Sequence, residues 1–420
     1  MARKMKDSGI EWIGEIPEGW EVSQLKYATR WKSEKGCPDA PVLSLYRDFG
    51  VVPKDSRDDN HNVTSLDTSN YKVVDIGDLV INKMKAWQGS MAVSDYRGIV
   101  SPAYHVCSIT SNKVNKRYLH HLLRNPAYLP EYARLSTGMR IGQWDLGFDD
   151  FKNIPFLIPP LDEQAKIADY LDNGCASVDA MLSKTRSSIE EYKKLKQAVI
   201  TQTVTKGVRG EREMKDSGVE WIGKVPSKWN CIKIKYLFEI RKRIAGKEGY
   251  TVLSITQTGI KPKNISSNEG QLADSYSNYQ LLYSGEFAMN HMDLLTGWVD
   301  ISNYNGVTSP DYRVFSLKDT ITNHPRYFLY LMQSCYFNRI FYSMAQGVSN
   351  LGRWRLQSDK FLNCIFPVPS IEEQKEISDY LDTTCSEIDK LIAKKEQLAK
   401  ELESYKKSLI YEVVTGKREV

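Results

Sequence analysis

The chain has 420 residues, of which 41% are hydrophobic and 26% charged, and its formal net charge is +5. This composition is ordinary for a globular protein with room for about two to four domains. No apolar run is long enough to cross a bilayer, and the first residues lack the apolar segment of a signal peptide. The seven cysteines form no CxxC pair, so we expect a reduced cytoplasmic protein without a zinc site.

Positive charge is concentrated in two long blocks of the chain. Residues 1–160 contain 21 Lys and Arg against 19 Asp and Glu, and residues 211–370 contain 19 against 14. Residues 371–420 are acidic, with 9 against 12. A mildly basic surface is a weak indication of nucleic-acid binding, because most such surfaces are merely solvated.

The first block opens with the motif MKDSGIEWIGEIPEGW, which begins at Met5. The residues that follow alternate short apolar runs with Gly, Asn, Asp and Pro, as in YKVVDIGDLVINKM, and this pattern predicts short strands. NKRYLHHLLRN predicts a short helix in the same block. Residues 1–160 are therefore expected to form a compact α+β domain with a substantial sheet.

A long helix is predicted to follow. The proline cluster IPFLIPP at Ile154–Pro160 is extended and cannot propagate a helix, so the helix begins after it. Its apolar positions alternate by four and three residues, which indicates a coiled-coil seam. The seam is predicted at Ile167, Leu171, Gly174, Val178, Met181, Thr185, Ser188, Tyr192, Leu195 and Val199. TVTKG, at Thr203–Gly207, is typical of a helix end.

Everything described so far then recurs. The opening motif returns from Met214 as MKDSGVEWIGKVPSKW, with 11 of 16 positions identical. LDEQAKIADYLD at Leu161–Asp172 returns as IEEQKEISDYLD at Ile371–Asp382. The second seam is predicted at Ile377, Leu381, Thr384, Ile388, Leu391, Lys395, Leu398, Leu402, Tyr405 and Leu409. Two copies are too few for a solenoid, so we expect two equivalent halves whose helices pair with each other.

The paired segments SGxEWIGxxPxxW and EQxxIxxYLD, within this duplicated architecture, resemble the specificity subunit of type I restriction-modification systems. The resemblance covers essentially the whole chain. It implies an α+β fold with two similar target recognition domains, separated by two long antiparallel helices that form a coiled-coil spacer with a pseudo-twofold internal repeat. The segments are then residues 1–160 and 211–370 for the recognition domains, and residues 161–210 and 371–420 for the helical spacers.

The resemblance also implies a function and its partners. Each recognition domain would read one half of a split, asymmetric target in double-stranded DNA. The helices would set the spacing and dock two methyltransferase subunits, and restriction–translocase subunits would complete the enzyme. The chain itself would be non-catalytic and hold no cofactor or metal. S-adenosylmethionine would belong to the methyltransferase partner, and ATP and Mg to the nuclease partner.

The residues agree with a non-catalytic chain. Amino-group methylation of an extruded base needs a loop of Asn/Asp-Pro-Pro-aromatic type. NPAY at Asn125–Tyr128, SPAY at Ser101–Tyr104 and SPDY at Ser309–Tyr312 all lack the second proline. The SP-x-Y pair recurs with the repeat, so we interpret it as a turn or strand feature. There is also no P-loop. Two alternatives stay open, namely a coiled-coil scaffold without base readout and an enzyme that acts alone on DNA.

Three loops at matching places in the two copies are candidates for DNA reading, since they keep Gly or Pro while their polar residues differ. Loop A is Tyr46–Lys54 and Ile255–Lys263, loop B is Ile81–Gly89 and Met289–Gly297, and loop C is Thr137–Trp144 and Gln346–Trp354. Arg, Lys, Asn and Gln are the usual readers of base edges. The predicted readers are Arg47, Lys83, Lys85, Gln88, Arg140 and Gln143 in the first copy, and Gln257, Asn290, His291, Asn350, Arg353 and Arg355 in the second.

Docking sites for the methyltransferase subunits are predicted on the exposed helix faces and at the EQ segments. The residues concerned are Glu163, Gln164, Glu373 and Gln374. The alternative reading of these residues is capping of the helix beside the proline turn.

Overall fold

The computed structural model describes residues 3–47, 49–57, 64–65, 67–140, 143–265, 273–348 and 353–420. For residues 139, 140, 143, 346–348, 353 and 354 the description covers the backbone only. No helix within these ranges combines the length and the apolar character needed to cross a membrane. The chain divides into two compact units: unit 1 is Met1–Arg186 with Glu396–Val420, and unit 2 is Ser187–Lys395.

The unit boundaries cut through both long helices, α4 (Leu161–Lys206) and α9 (Ile371–Val414). Both helices begin directly after a proline cluster, and Gly207 and Gly416 follow their ends with φ of +78° and +71°. Each unit therefore combines one globular block with part of each long helix. The four segments predicted from the sequence do not coincide with these units.

Unit 1 contains short strands and three short helices besides the helix segments. The helices are α1 (Lys116–Leu123), α2 (Leu129–Leu135) and α3 (Phe148–Phe151). The strands are β1 (Met5–Asp7), β2 (Glu15–Pro17), β3 (Glu21–Gln24), β4 (Thr29–Lys32), β5 (Leu43–Tyr46), β6 (Gly50–Pro53), β7 (Lys72–Val74), β8 (Leu79–Asn82), β9 (Met91–Val93), β10 (Gly98–Val100), β11 (Tyr104–Ile109), β12 (Ser136–Arg140), β13 (Gln143–Leu146) and β14 (Pro155–Ile158). The antiparallel sheet β4-β11-β8-β9 forms its centre.

Unit 2 repeats this arrangement. Its short helices are α5 (Ile234–Leu237), α6 (Pro325–Phe337), α7 (Ile340–Ser343) and α8 (Ser358–Asn363). Its strands are β15 (Met214–Asp216), β16 (Lys224–Pro226), β17 (Asn230–Lys233), β18 (Phe238–Arg241), β19 (Leu253–Thr256), β20 (Gly259–Pro262), β21 (Gln280–Leu282), β22 (Phe287–Met289), β23 (Val299–Ile301), β24 (Gly306–Thr308), β25 (Arg313–Leu317), β26 (Gln346–Val348), β27 (Arg353–Arg355) and β28 (Ile365–Val368). The sheet β18-β25-β22-β23 corresponds to β4-β11-β8-β9.

The main core of each unit lies between the sheet, the short helices and the long-helix segments. In unit 1, Trp20 and Phe156 pack in one cluster with Leu409 and Val413 near the end of α9. In unit 2, Trp229 and Phe366 pack with Val204 near the end of α4. The proline and the last tryptophan of the repeated motif EWIGxxPxxW are thus buried, and this tryptophan packs in the core beside the end of a long helix.

The long helices pair antiparallel within each unit. Asp179 in α4 contacts Lys406 in α9 within unit 1, and Lys196 contacts Asp389 within unit 2, with nitrogen–oxygen distances of 2.7 Å in both cases. Because these two ion pairs occupy equivalent positions in the repeat, the predicted pairing of the helices is confirmed in both units.

The predicted seam is half right. Its alternate positions Leu171, Val178 and Thr185 are buried, as are Leu381 and Ile388 in α9, while Lys395, the counterpart of Thr185, is half-buried. The predicted seam positions between them lie one residue before the residues that face the partner helix. Two of these predicted positions, Met181 and Leu391, have side chains that are 52% and 41% exposed. The helices instead turn inward the residues Cys175, Leu182, Ile189 and Lys196, and Cys385, Ile392, Ala399 and Lys406. Spacings of four-then-three and three-then-four both satisfy a heptad pattern, and the apolar Met181, Leu391 and Leu398 favoured the wrong one.

Candidate nucleic-acid interface

Loops A, B and C are built from the same elements in both units. Loop A is the turn of the hairpin β5–β6 in unit 1 and of β19–β20 in unit 2. Loop B follows the sheet strand β8 or β22, and in unit 1 it forms a 3₁₀ helix over Lys83–Gln88. Loop C is the hairpin β12–β13 or β26–β27. The hydrogen bonds of the flanking strands therefore fix where each loop lies on its unit. The register of those strands fixes where the polar residues of the loop lie.

In unit 1 the structure brings loops B and C together. The Nζ atom of Lys83 in loop B lies 2.8 Å from a carboxylate oxygen of Asp145, next to loop C. The rings of Trp87 in loop B and Trp144 in loop C meet edge to face at a centroid distance of 5.1 Å. An aromatic pair of this kind is a rigid base for neighbouring polar side chains.

In unit 2 the structure joins loop B to both of its neighbours. Gln257 in loop A donates from Nε2 to the carbonyl oxygen of Thr296 in loop B at 3.3 Å. The amide of Leu356, just after loop C, donates to the carbonyl oxygen of His291 at 3.0 Å. The three loops of unit 2 thus form one connected surface.

The predicted readers of unit 1 have different environments. Arg47 and Lys85 are exposed, Gln88 is half-buried, and Lys83 is already paired with Asp145. Only the backbone of Arg140 and Gln143 is described, so their side chains lie outside the described part of the structure. Arg47 and Lys85 are therefore the predicted readers of unit 1 that present an exposed side chain.

In unit 2, Gln257 and Arg355 are exposed. Asn290 uses its side-chain oxygen to accept from the amides of Met292 and Asp293, so it shapes the turn of loop B. His291 is 7% exposed, and burial lowers its pKa to about 3. A neutral, buried imidazole does not reach a base edge, so the choice of His291 as a reader is corrected.

The two remaining predicted readers of unit 2 lie beyond what the structure describes. Asn350 lies outside the described residues, and Arg353 is described by its backbone only. Both stay predictions.

The sequence did not indicate the buried hydrogen-bond donor that lies at the base of loop C. His105 in β11 makes a hydrogen bond from Nε2 to the carbonyl oxygen of Leu146 at 3.1 Å. At the equivalent position in unit 2, Arg313 donates from Nη2 to the carbonyl oxygen of Leu356 at 2.9 Å. Leu146 and Leu356 come two residues after the end of loop C. The same sheet strand therefore anchors the end of loop C in both units, through two different side chains.

Arg313 is an unusual anchor because it is only 4% exposed. Its guanidinium lies 4.7 Å from the ring centroid of Phe361 and contacts the sulfur of Met289. Burial lowers the pKa of Arg313 to about 10. Burying a cation among apolar groups costs free energy, and the hydrogen bonds of Arg313 to Leu356 and Ser358 offset part of that cost.

The EQ segments join each long helix to its globular block. Gln164 accepts at Oε1 from the amide of Asn115 and donates at Nε2 to the carbonyl oxygen of Lys113. Gln374 makes the equivalent contacts in unit 2, with the amide of His324 and the carbonyl oxygen of Thr322. Both glutamines are buried, at 1% and 0% exposure.

The preceding glutamates hold the motif tryptophans. The indole Nε1 of Trp20 donates to Glu163 at 3.0 Å, and Trp229 donates to Glu373 at the same distance. Arg3 pairs with Glu163 at 2.5 Å, and Arg212 pairs with Glu373 at 2.6 Å.

The prediction that Glu163, Gln164, Glu373 and Gln374 dock a partner is therefore corrected. These side chains are engaged within their own unit, and all except Glu163 are buried. The alternative, a structural role at the helix start, is what the contacts show.

The motifs that resemble a methyltransferase loop are turns. Asn125 of NPAY accepts at its side-chain oxygen from the amide of Ala127 and is fully buried. In SPAY and SPDY the amide of each tyrosine, Tyr104 or Tyr312, donates to the carbonyl oxygen of the serine three residues earlier. The interpretation of SP-x-Y as a turn is confirmed.

Comparison with known proteins gives one consistent result. A family model described as the type I restriction modification DNA specificity domain matches residues 17–191 and again residues 226–403. The MjaVIII specificity subunit of a type I restriction enzyme from Methanocaldococcus jannaschii is 25% identical over 429 residues, covering 96% of this chain and 93% of the relative. The duplication seen in the sequence and in the two units is thus the duplication of one family domain.

Solved structures share the fold. A chain from a study of the complex assembly and conformational transition of a type I R-M system matches with a TM-score of 0.70 at 14% identity, covering 96% of this chain and 99% of that one. The HsdS subunit from Thermoanaerobacter tengcongensis matches with a TM-score of 0.53 at 14% identity, covering 96% and 98%. The predicted fold of two similar α+β domains with long helices is confirmed.

Proposed function

This chain belongs to the type I restriction modification DNA specificity family, and on that premise we propose that each unit reads one half of a split, asymmetric target in double-stranded DNA. One observation carries the proposal. The same three loops stand on the same sheet in both units, while their polar residues differ, as with Lys85 against Asp293. A shared frame with different side chains at the reading positions suits two half-sites of different sequence.

The proposed readers are the polar residues of the loops other than His291. They are Arg47, Lys83, Lys85, Gln88, Arg140 and Gln143 in unit 1, and Gln257, Asn290, Asn350, Arg353 and Arg355 in unit 2. Of these, Lys83 would have to leave Asp145 before it contacts a base, and Asn290 would act by shaping loop B.

The chemistry is proposed to belong to partner subunits. Two methyltransferase subunits would bring S-adenosylmethionine and the adenine pocket, and nuclease subunits would bring ATP and Mg. The complex would act on DNA in the cytoplasm. Exposed apolar side chains support docking on the helices. Leu391, Leu398 and Tyr405 are exposed and follow one another every seven residues in α9, and Met181 and Leu195 are exposed 14 residues apart in α4. Exposed apolar residues at heptad spacing suit a helical partner surface.

The helices are also proposed to set the separation between the half-sites. The test is to insert four residues in both helices, between Arg186 and Ser187 and between Lys395 and Glu396, where the units meet along the chain. Four residues add about 6 Å and turn a helix by about 400°, so the seam nearly keeps its face. We expect the gap to widen by at most about two base pairs, at about 3.4 Å each. A still-active variant with an unchanged gap would show that the helices are not the ruler.

The decisive experiment compares the purified chain with and without an amino-methyltransferase subunit from the same organism. We expect no methylation by the chain alone, and methylation at a split, asymmetric motif when both are present. Mapping N6-methyladenine across a genome gives the motif directly. Robust methylation by the chain alone would contradict the non-catalytic assignment.

Domain exchange separates base reading from a scaffold role. Replacing residues from about Pro17 to Pro155 with the same block of a relative should change one half of the methylated motif and leave the other intact. A scaffold without base readout would leave the whole motif unchanged. A change in both halves together would show that the two units read the target jointly.

A further inference from the structure

Three pairs of exposed tyrosines are identical between the two units. Among the large apolar or aromatic side chains that are exposed in the described part of the chain, Tyr27 and Tyr236, Tyr96 and Tyr304, and Tyr170 and Tyr380 occupy equivalent repeat positions. Most other exposed residues of this kind differ, as with Phe49 against Thr258. Packing within the unit does not constrain an exposed side chain, so a contact outside the unit is one reason for these tyrosines to be the same in both copies.

Tyr27 and Tyr236 are the most exposed of these pairs, at 69% and 66%. Each follows a lysine whose Nζ lies 5.2 Å from the ring centroid, Lys26 in unit 1 and Lys235 in unit 2. The short helical turn that carries each pair buries other residues, namely Leu25 in unit 1 and Ile234 with Leu237 in unit 2. The fold therefore needs the turn, but it does not need the tyrosine ring.

The strand register places this lysine–tyrosine pair far from loop B. In unit 1, Tyr104 of β11 lies opposite Asn82, where loop B begins, and Ile109 at the other end of β11 lies opposite Thr29. Tyr27 comes two residues before Thr29. Five residue steps along β11 correspond to about 17 Å. In unit 2, Arg313 of β25 lies opposite Met289 and Leu317 opposite Phe238, two residues after Tyr236.

The pair lies instead at the end of the sheet where the long helix is attached. The amide of Thr110, just after β11, donates to the carbonyl oxygen of Ala28, the residue after Tyr27. The same connecting segment continues to Lys113, which hydrogen-bonds Gln164 at the start of α4. A ligand held by the reading loops would therefore not cover the lysine–tyrosine pair, whereas a protein docked beside the helix start could.

We propose that Lys26–Tyr27 and Lys235–Tyr236 are two equivalent docking contacts, each for one copy of the methyltransferase subunit. This proposal rests on the proposed function. Two identical contacts, one in each unit, require a partner that presents the same surface twice. The chemistry of the contact is an aromatic face beside a cation, which suits a partner surface with an apolar patch next to a carboxylate.

The test uses the full chain with Tyr27→Ala, Tyr236→Ala and the double variant. The probe is the methyltransferase subunit that supports methylation with this chain, with stoichiometry measured by native mass spectrometry and affinity by calorimetry. We expect two partner copies on the unsubstituted chain. Each single variant should bind one copy normally and the other about 30-fold or more weakly, as for an aromatic residue at the centre of an interface. Tyr27→Phe should restore most of the affinity, because it keeps the ring.

Tyr250 provides a matched control. It is also exposed, at 36%, and lies beside a lysine, with Nζ of Lys247 at 5.6 Å from its ring centroid, but the first copy has no tyrosine at the equivalent place. Tyr250→Ala should therefore leave both partner sites unchanged. Circular dichroism of each variant checks that the fold is retained.

Two results would overturn the proposal. One is normal affinity at both partner sites in the double variant. The other is unchanged partner binding with weakened binding of a duplex that lacks the target, measured by fluorescence anisotropy, which would make the pair a DNA phosphate contact. A failure of the proposed function is distinguishable, because then the unsubstituted chain would bind no methyltransferase and support no methylation.

Discussion

Unit 1 and unit 2 keep the same hydrogen-bond acceptors while changing the donors that reach them. The carbonyl oxygen of Tyr104 accepts from Lys72 in unit 1, and that of Tyr312 accepts from Gln280 in unit 2. The anchor of loop C changes in the same way, from His105 to Arg313. Near the candidate loops, the fold requires that a particular backbone carbonyl oxygen receives a hydrogen bond. Different side chains can donate that hydrogen bond in the two units.

The joint between globular block and helix shows the opposite behaviour. Trp20 with Glu163 and Trp229 with Glu373 keep both residue types and the same 3.0 Å hydrogen bond. This contact is part of the packed core, where the shape of the indole and its single donor leave few substitutes. The difference teaches that divergence is concentrated where side chains reach towards the loops, and identity where the helix meets the core.

The largest expected difference between the units concerns the glutamate of the joint. The side chain of Glu373 is 6% exposed and that of Glu163 is 21% exposed. Glu373→Ala leaves Arg212 and the indole of Trp229 without their buried acceptor, so we expect a loss of about 3 kcal/mol of unfolding free energy in unit 2. Glu163→Ala should cost unit 1 about 1–2 kcal/mol.

Hydrogen exchange followed by mass spectrometry measures each unit separately. Glu376→Ala is the control, because its pair with Arg209 is exposed, and we expect it to leave the stability of unit 2 almost unchanged. Equal losses for Glu163→Ala and Glu373→Ala would show that burial does not distinguish the two joints.

The anchors of loop C are expected to have the next largest effect, on specificity. Arg313→Ala removes a donor to Leu356, and His105→Ala removes the donor to Leu146, so loop C loosens in one unit at a time. We expect about a tenfold loss of discrimination in the half-site read by that unit, equivalent to one hydrogen bond. Sequencing of methylated sites measures both half-sites in the same sample, so the unaltered half is an internal control. Relaxation of both halves would contradict the anchoring role.

Exchanging the anchors sharpens this test. His105→Arg introduces the donor of unit 2 into unit 1, and Arg313→His does the reverse. If the carbonyl is the only requirement, each exchange should retain more discrimination than alanine at the same position. A histidine at position 313 that behaves like alanine would show that the charge of the guanidinium matters as well.

The smallest expected difference between the units concerns their stability at low pH. Asp172 accepts from His121 and Arg117, and these hydrogen bonds lower its pKa to about 2. A lowered folded-state pKa means that the stabilisation is fully present above about pH 4 and is lost as the pH falls through about 2. Because the side chain of Asp172 is 42% exposed, we expect a contribution of only about 1 kcal/mol.

Unit 2 provides the comparison for the acid experiment. At Asp382 burial opposes ionisation, while hydrogen bonds from Arg326 and Tyr330 lower its pKa. Thermal unfolding from pH 5 to pH 2.5 should show that Asp172→Asn reduces the acid sensitivity of unit 1 and leaves unit 2 unchanged. An unaltered acid sensitivity of unit 1 would show that other carboxylates control it.

Some features of the fold were predictable because their signals are local. The proline clusters mark the starts of α4 at Leu161 and α9 at Ile371, and the glycines after their ends need positive φ. The duplicated motifs indicate two similar units. Features that depend on contacts across the chain were harder to predict. The sequence predicts Gln164 as a docking residue, but its side chain is buried and its hydrogen bonds reach back about fifty residues to Lys113 and Asn115.

The sequence located three loops at matching places in the two copies, but it did not show which of their residues are buried. Comparing the copies finds positions that differ, but it does not separate a reader from a buried residue, and His291 was chosen for this reason. The same comparison passes over His105 and Arg313, because their residue types differ while their role is the same. A search for equivalent positions that both carry a side-chain donor would have found them.

Unit 1 is assembled from both ends of the chain, and this has a consequence for synthesis. Unit 2 is one continuous stretch, Ser187–Lys395, so it is complete as soon as that stretch has left the ribosome. The core of unit 1 needs Leu409 and Val413 from the last turns of α9. At about 5–20 residues per second, the first globular block waits some tens of seconds for the residues that close its core. A message that ends just after position 395 would therefore yield a finished second unit and an open first one, which chaperones or proteases would recognise by its exposed apolar surface.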